Sequence, residues 1–139
     1  MLVLIVASFT LVPASDTLTN LSPPDAEGET IVVRGSILDG DGQPVAAVEV
    51  FAYHADTKGR YHDDAYRGTV VTNDRGVYAF ETIRPGGYGP APHIHFRVKA
   101  AGHERSATLR LSSAPRPPRT IVLRGVEVTE FSFDIRLGG

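Results

Sequence analysis

The stretch His93-Ile94-His95-Phe96-Arg97-Val98-Lys99 alternates strictly between polar and apolar side chains. In a β-strand successive side chains point to opposite faces. Ile94, Phe96 and Val98 therefore share a face that seeks a core, and His93, His95, Arg97 and Lys99 share the other. A period of two does not suit an amphipathic helix, whose apolar residues recur every 3.6 positions. Working outward, further short apolar or alternating runs occupy 31–38, 45–53, 69–72, 77–83 and 107–111, with two more near 120–126 and 128–137. Asp39-Gly40-Asp41-Gly42-Gln43-Pro44 closes the first run, and Asn73-Asp74-Arg75-Gly76 is expected as a hairpin turn between 69–72 and 77–83. Segments 54–68, 84–92 and 112–119 are expected as loops. About eight short strands and no helical pattern predict an all-β fold, an antiparallel β-sandwich.

The 139 residues include 14 Gly and 10 Pro, which favours many turns. The length suits one domain. A formal net charge of −2 with no basic stripe argues against a nucleic-acid partner. With no cysteine there can be neither a disulfide nor a thiolate metal site, so any metal must be held by nitrogen and oxygen. Leu2 to Val12 form an apolar run of 11, followed by Pro13-Ala14. The run is too short to span a bilayer and has the length of a signal-peptide core, although no Lys or Arg precedes it. Residues 1–14 are expected as a signal peptide, 15–29 as a flexible lead-in and 30–139 as the β-sandwich domain. The protein is then exported, periplasmic or secreted; if the run is instead a buried strand, it is cytoplasmic.

His93 and His95 project to one side about 6.6 Å apart along the strand, close enough for two imidazoles to share a metal ion. Upstream, Tyr88 lies in Pro85-Gly86-Gly87-Tyr88-Gly89-Pro90, and Tyr61 follows Gly59-Arg60. Two imidazoles with two phenols would suit a hard, highly charged ion such as Fe(III). A solvated strand face and two surface tyrosines would give the same residues, and at this level both interpretations stand. Tyr53 and Tyr78 are expected as strand or core aromatics. His54 and His62 are expected as solvated loop residues or as a pocket rim, Tyr66 as a residue that could flank a pocket, and His103 as a turn residue without a role.

Taken in order, several motifs resemble the catalytic domain of the intradiol ring-cleavage dioxygenases. They are Asp39-Gly40-x-Gly42-x-Pro44-Val45, Tyr53-His54-Ala55-Asp56-x-x-Gly59-Arg60-Tyr61, Arg67-Gly68-x-x-x-Thr72, Gly76-x-Tyr78-x-Phe80-x-Thr82-Ile83-x-Pro85-Gly86-x-Tyr88 and His93-Ile94-His95-Phe96. The likeness runs over about residues 30–112. It implies an Fe(III) centre held by Tyr61, Tyr88, His93 and His95, with Tyr88 and His95 axial. It also implies catecholic substrate and O2 as partners, and a muconate-type dicarboxylate as product. Two phenolates and one hydroxide would balance a trivalent ion. A catechol binding as a dianion would displace the hydroxide and Tyr88, which take up its two protons.

Three departures from the family pattern stand out. Pro90 occupies the place, three before the first histidine, where an arginine is usual. Only four residues separate Tyr88 from His93, and Leu109 stands where a glutamine is frequent. Arg84 and Arg97 are the candidates to replace the missing charge. No counterpart of the helical N-terminal region of the catechol-specific branch is read here, so a compact, exported, short-loop branch is the expected comparison. Two other classes share part of the pattern. The run Gly35 to Phe80 is also similar to non-catalytic carboxypeptidase-regulatory or prealbumin-like binding modules, which account for the scaffold but not for Tyr61, Tyr88 and His-Ile-His together. A cupin site needs a glutamate shortly after His-x-His, and Lys99 and Ala100 stand there instead.

Overall fold

The computed structural model describes residues 18–100 and 102–138; the expected signal peptide lies outside them. Among the described residues ten strands follow in order: β1 (Thr19–Asn20), β2 (Thr30–Leu38), β3 (Glu49–Tyr53), β4 (Arg67–Val71), β5 (Val77–Ile83), β6 (His93–Ala100), β7 (His103–Arg110), β8 (Arg119–Leu123), β9 (Val126–Ser132) and β10 (Ile135–Arg136). One sheet runs β1-β5-β2-β9-β8, with β10 beside the end of β2, and the other runs β4-β3-β6-β7. Their facing sides bury Ile31, Val33, Phe80 and Phe131 against Val50, Ile94, Phe96 and Val98 in a common core. This is the all-β sandwich that the alternating pattern predicts. The four-stranded sheet is wholly antiparallel. The six-stranded sheet adds parallel pairings of β1 with β5 and of β9 and β10 with β2.

Two expectations change. Asn73–Gly76 does form a tight turn, closed by the Gly76 amide on the Asn73 carbonyl at 2.9 Å. It does not join paired strands, however: β4 pairs with β3, while β5 pairs with β2 and β1. The turn is a corner between the two sheets, because each flanking strand finds a better partner elsewhere. The lead-in expected to be flexible over 15–29 is also tied down in its described part. Thr19–Asn20 joins β5, Leu21 is buried, its amide donates to the Glu81 carbonyl at 3.0 Å, and its own carbonyl accepts from the Tyr66 amide at 2.9 Å. Leu21 is an apolar side chain in a polar stretch, and it plugs one end of the sandwich beside Gly68.

That same end anchors the long loop 54–66. His54 is not solvated: it is 1% exposed. Its Nδ1–H donates to the Ala55 carbonyl and its Nε2 accepts from the Thr82 hydroxyl, both at 2.7 Å. This arrangement uses the neutral ring, and burial pushes its pKa down to about 4, against a smaller upward pull from the Ala55 carbonyl. Further along, the Asp56 carboxylate accepts from the Lys58 and Arg60 amides at 2.8 and 3.0 Å and pairs with His62 at 2.8 Å. Burial opposes its ionisation, but His62 and the two amides outweigh this and hold the carboxyl at about 2. The result is a tight loop with Gly59 in the left-handed region at φ 82°.

Loop 84–92 locks into this one. The Gly86 amide donates to the Asp56 carbonyl at 2.9 Å. A Cβ on Gly86 would sit 2.1 Å from the Thr57 carbonyl oxygen, and one on Gly59 would sit 2.6 Å from that of Gly87. The two loops therefore touch backbone to backbone, and only hydrogen side chains permit it.

Two outcomes follow from this anchoring. For His54 the ordinary pKa is 6.5 and the folded value about 4, so the unfolded chain takes up the proton first. The stability that His54 contributes is complete above pH 6.5, falls as pH drops toward 4, and levels off below. The loss should reach about 3 kcal/mol. Urea unfolding at pH 7.5 and 4.5 should show a difference that His54→Gln largely removes; equal pH dependence in both proteins would refute it. For the loops, Gly86→Ala should cost about 1–3 kcal/mol. Wild-type denaturation of that variant would count against the interlock.

Candidate metal centre

On β6 the alternation is realised: Ile94, Phe96 and Val98 are 0–1% exposed, and His93 and His95 face outward from the four-stranded sheet. The interlocked loops carry Tyr61 and Tyr88 over the end of that face. Four donor atoms then converge. Tyr61 Oη lies 2.9 Å from Tyr88 Oη, 3.1 Å from His95 Nε2 and 3.4 Å from His93 Nε2. His93 Nε2 lies 3.2 Å from Tyr88 Oη and 3.0 Å from His95 Nε2. Among the described residues, Tyr88 and His95 are the one pair of the four without a hydrogen bond.

These spacings fit a shared cation. With bonds of about 2.0–2.1 Å from nitrogen or oxygen to a transition-metal ion, adjacent ligands lie about 2.9 Å apart at a right angle and about 3.4 Å at a tetrahedral one. All five contacts fall in that interval. The pair expected in axial, opposed positions is the one not in contact. The chemistry of the atoms agrees. His93 Nδ1–H donates to the Ala91 carbonyl at 2.8 Å, which leaves its Nε2 lone pair aimed at the cluster. Electron pairs that face one point at these distances need protons or a metal ion between them, and a metal ion can serve all four at once. Among the described residues no three His, Asp or Glu side chains gather to hold a metal, so a centre here requires the phenols.

The surroundings tune the donors. The His95 ring stacks on Tyr53, with centroids 4.7 Å apart and planes at 17°. Burial and then the neighbouring His93 lower the His95 pKa, favouring the neutral, ligating form. The Tyr61 pKa is raised, first by burial and then by the hydrogen bond to Tyr88. Without a cation Tyr61 is therefore a phenol, and only a strong positive charge would hold it as phenolate. Tyr61 and Tyr88 are nonetheless 43% and 46% exposed, so the cluster opens to solvent.

All four residues singled out in the sequence come together here. Others fall elsewhere. Tyr78 is a core aromatic whose hydroxyl donates to the Phe133 carbonyl at 2.6 Å. Tyr53 is not in the core: it lies on the outer face against His95. Tyr66, at φ 63°, is buried with its ring against His54 and His62, so it supports the loop, and it lines a small cavity with Asp25, Asp56 and Arg60. His62 pairs with Asp56, and His103 is exposed at the start of β7. Arg84 is occupied elsewhere, with its guanidinium on Glu29 at 3.0 Å and over the Phe131 ring. Leu109 pairs with Ile94 and is fully buried; the residues of β7 opposite His95 and His93 are Thr108 and Arg110. No periodicity signals the role of Tyr53, because its contact with His95 depends on the register of β3 against β6.

Residues 9–114 match the family model described as Dioxygenase. The chain is 33% identical over 112 residues to a catechol 1,2-dioxygenase of Acinetobacter baylyi, covering 60% of this chain and 36% of that protein. It is 32% identical over 96 residues to the protocatechuate 3,4-dioxygenase alpha chain of Pseudomonas putida, covering 59% and 48%. It thus spans less than half the length of either relative. Among solved structures it resembles the dioxygenase domain of a dioxygenase carbohydrate-binding protein fusion from Streptomyces sp. SirexAA-E, with TM-score 0.73, 26% identity and 86% of each chain covered. An intradiol ring-cleavage dioxygenase from Tetranychus urticae shares the fold at TM-score 0.72 and 20% identity, over 86% of this chain and 85% of that one. With three-quarters of its length inside the family model and its motifs folded into one donor cluster, this chain belongs to the intradiol ring-cleavage dioxygenases.

Proposed function

We propose that this chain is a non-haem Fe(III)-dependent dioxygenase that opens an ortho-diphenol between its two hydroxyl-bearing carbons. One carbon–carbon bond breaks and both atoms of O2 enter the product, a muconate-type dicarboxylate, with no external reductant. The observation that carries this is the convergence of Tyr61 Oη, Tyr88 Oη, His93 Nε2 and His95 Nε2 on one point. A non-catalytic binding module would leave that convergence without a cause.

Those four residues would hold the ion. Bound there, Fe(III) would supply a Lewis acid that draws electron density from the diol ring and opens it to O2. The chain's own contribution is positioning and proton handling. The Ala91 carbonyl and the Tyr53 ring fix the two imidazoles. Tyr61 and Tyr88, as phenolates, bring two negative charges that offset most of a trivalent charge. Tyr88 sits on an exposed loop flanked by glycines. It would therefore be the donor free to move aside as the diol arrives, and its Oη would accept one diol proton. Pro90 brings no charge to the pocket, and the arginine directly opposite His93 is Arg110.

Iron-loaded protein should be coloured by charge transfer from tyrosinate to Fe(III), and it should consume one O2 per catechol. Tyr61→Phe and Tyr88→Phe should each lose absorbance, and His95→Ala should lose iron. All three should lower turnover beyond the roughly 100-fold typical of changes outside the ligand sphere. A protein that stays colourless after ferric loading, or ligand variants with unchanged spectra, would overturn the proposal. We place the enzyme outside the cytoplasm on the strength of the apolar run Leu2–Val12. Protein recovered from the periplasm or medium should begin just after Ala14, leaving Thr19 and Leu21 to complete the fold; full-length protein confined to the cytoplasm would refute export.

A further inference from the structure

Beside the donor cluster, the outer face of the four-stranded sheet carries an aromatic floor flanked by cations. The register sets Tyr53 between Arg67 and His95, and Phe51 between Thr69 and Arg97. Phe51 and Tyr53 have centroids 5.6 Å apart. The Arg67 guanidinium stands 5.3 Å from the Phe51 centroid and 5.8 Å from that of Tyr53; Arg97 stands 5.7 and 6.0 Å from the same rings. The two guanidiniums thus share two rings from opposite strands. A shallow cavity of about 240 Å³ lies over the Phe51 ring and between the two guanidiniums, lined by Glu49, Phe51, Arg67, Thr69, Arg97 and Lys99.

Both guanidiniums have capacity to spare. Among the described residues Arg67 makes no ion pair, and its one side-chain hydrogen bond is to the His62 carbonyl at 3.5 Å. Arg97 pairs loosely with Glu104 at 3.6 Å. Glu49, the one carboxylate lining the cavity, lies opposite Lys99, at the end away from His95. The end nearest the metal centre is therefore the cationic one. It adjoins the site directly, because Tyr53 stacks on His95.

We infer that this shelf is a carboxylate subsite, and that the enzyme selects ortho-diphenols whose ring carries a carboxylate on a short side chain. The inference rests on the proposed dioxygenase function. Distance sets the class. Arg97 lies one strand repeat from His95, roughly 7 Å, and Arg67 two strands across, roughly 10 Å. A carboxylate bonded directly to the ring reaches only the near end of that range when the diol is held at the donors, whereas one on a two-carbon arm reaches well into it. The side chain would run over Tyr53 toward Phe51, with the carboxylate meeting the guanidiniums edge-on. Arginine stays charged throughout the working pH range, so the selectivity is independent of pH above the carboxylate's own pKa and weakens with salt.

The test compares 3-(3,4-dihydroxyphenyl)propanoate with its neutral counterpart 4-ethylcatechol and with 3,4-dihydroxybenzoate. Affinity is read from the visible spectrum of iron-loaded protein under anaerobic conditions. The propanoate should bind roughly tenfold tighter than 4-ethylcatechol and tighter than the benzoate. In Arg67→Gln/Arg97→Gln that preference should fall to within about twofold, with colour and 4-ethylcatechol affinity retained. Equal affinities in the wild type, or an unchanged preference in the double variant, would overturn the inference while leaving the dioxygenase intact. Should ferric loading give no colour, the metal centre fails instead. The subsite is then decided on metal-free protein by NMR: the Arg67 and Arg97 Nε–H signals should shift with the propanoate and not with 4-ethylcatechol, and their silence would refute it.

Discussion

One strand has to serve two environments. The inner face of β6 supplies Ile94, Phe96 and Val98 to the core between the sheets, and its outer face supplies two imidazoles. Core packing fixes the backbone of β6, and pleating fixes the direction of the histidines. The two candidate metal-ligating imidazoles are thereby mounted on a strand whose inner face is fully buried. A slip of one residue in register would bury both rings and expose Phe96. The burial of three apolar side chains is therefore what holds His93 and His95 side by side.

The phenols are held in a different way. Neither Tyr61 nor Tyr88 lies on a strand, and both are substantially exposed. Their positions depend on backbone contact between the two loops, which Gly59 and Gly86 permit, and on Asp56, which bonds to the Lys58 and Arg60 amides and to His62. His54 ties the root of the first loop to β5 through Thr82. This division suits the chemistry proposed above. The imidazoles stay in place, while Tyr88 can leave the cluster and return without disturbing the core.

The surface around the centre departs from what the family pattern implies. Pro90 removes a charge from the pocket, and Arg84 does not restore it because Glu29 and Phe131 hold it on the other sheet. On the outer face of the four-stranded sheet, Arg110 stands opposite His93, and Arg97 and Arg67 lie along an aromatic strip beyond His95. On the inference drawn above, substrate selection would fall to the sheet surface and to the side chain of the diol.

How much of this was legible in the residues depends on the range of the interactions involved. Alternation along a strand is local, so the β class, the core face of β6 and the shared direction of His93 and His95 follow from the sequence alone. The order of motifs also pointed to Tyr61 and Tyr88 as partners. Pairing and packing across the chain are not local. Which sheet β4 and β5 join, the burial of Leu109 and His54, the docking of Leu21, and the placing of Tyr53 and Arg67 beside His95 were decided only by the tertiary structure. Each depends on cross-strand register or loop contact between residues far apart in sequence, and no short-range pattern encodes that.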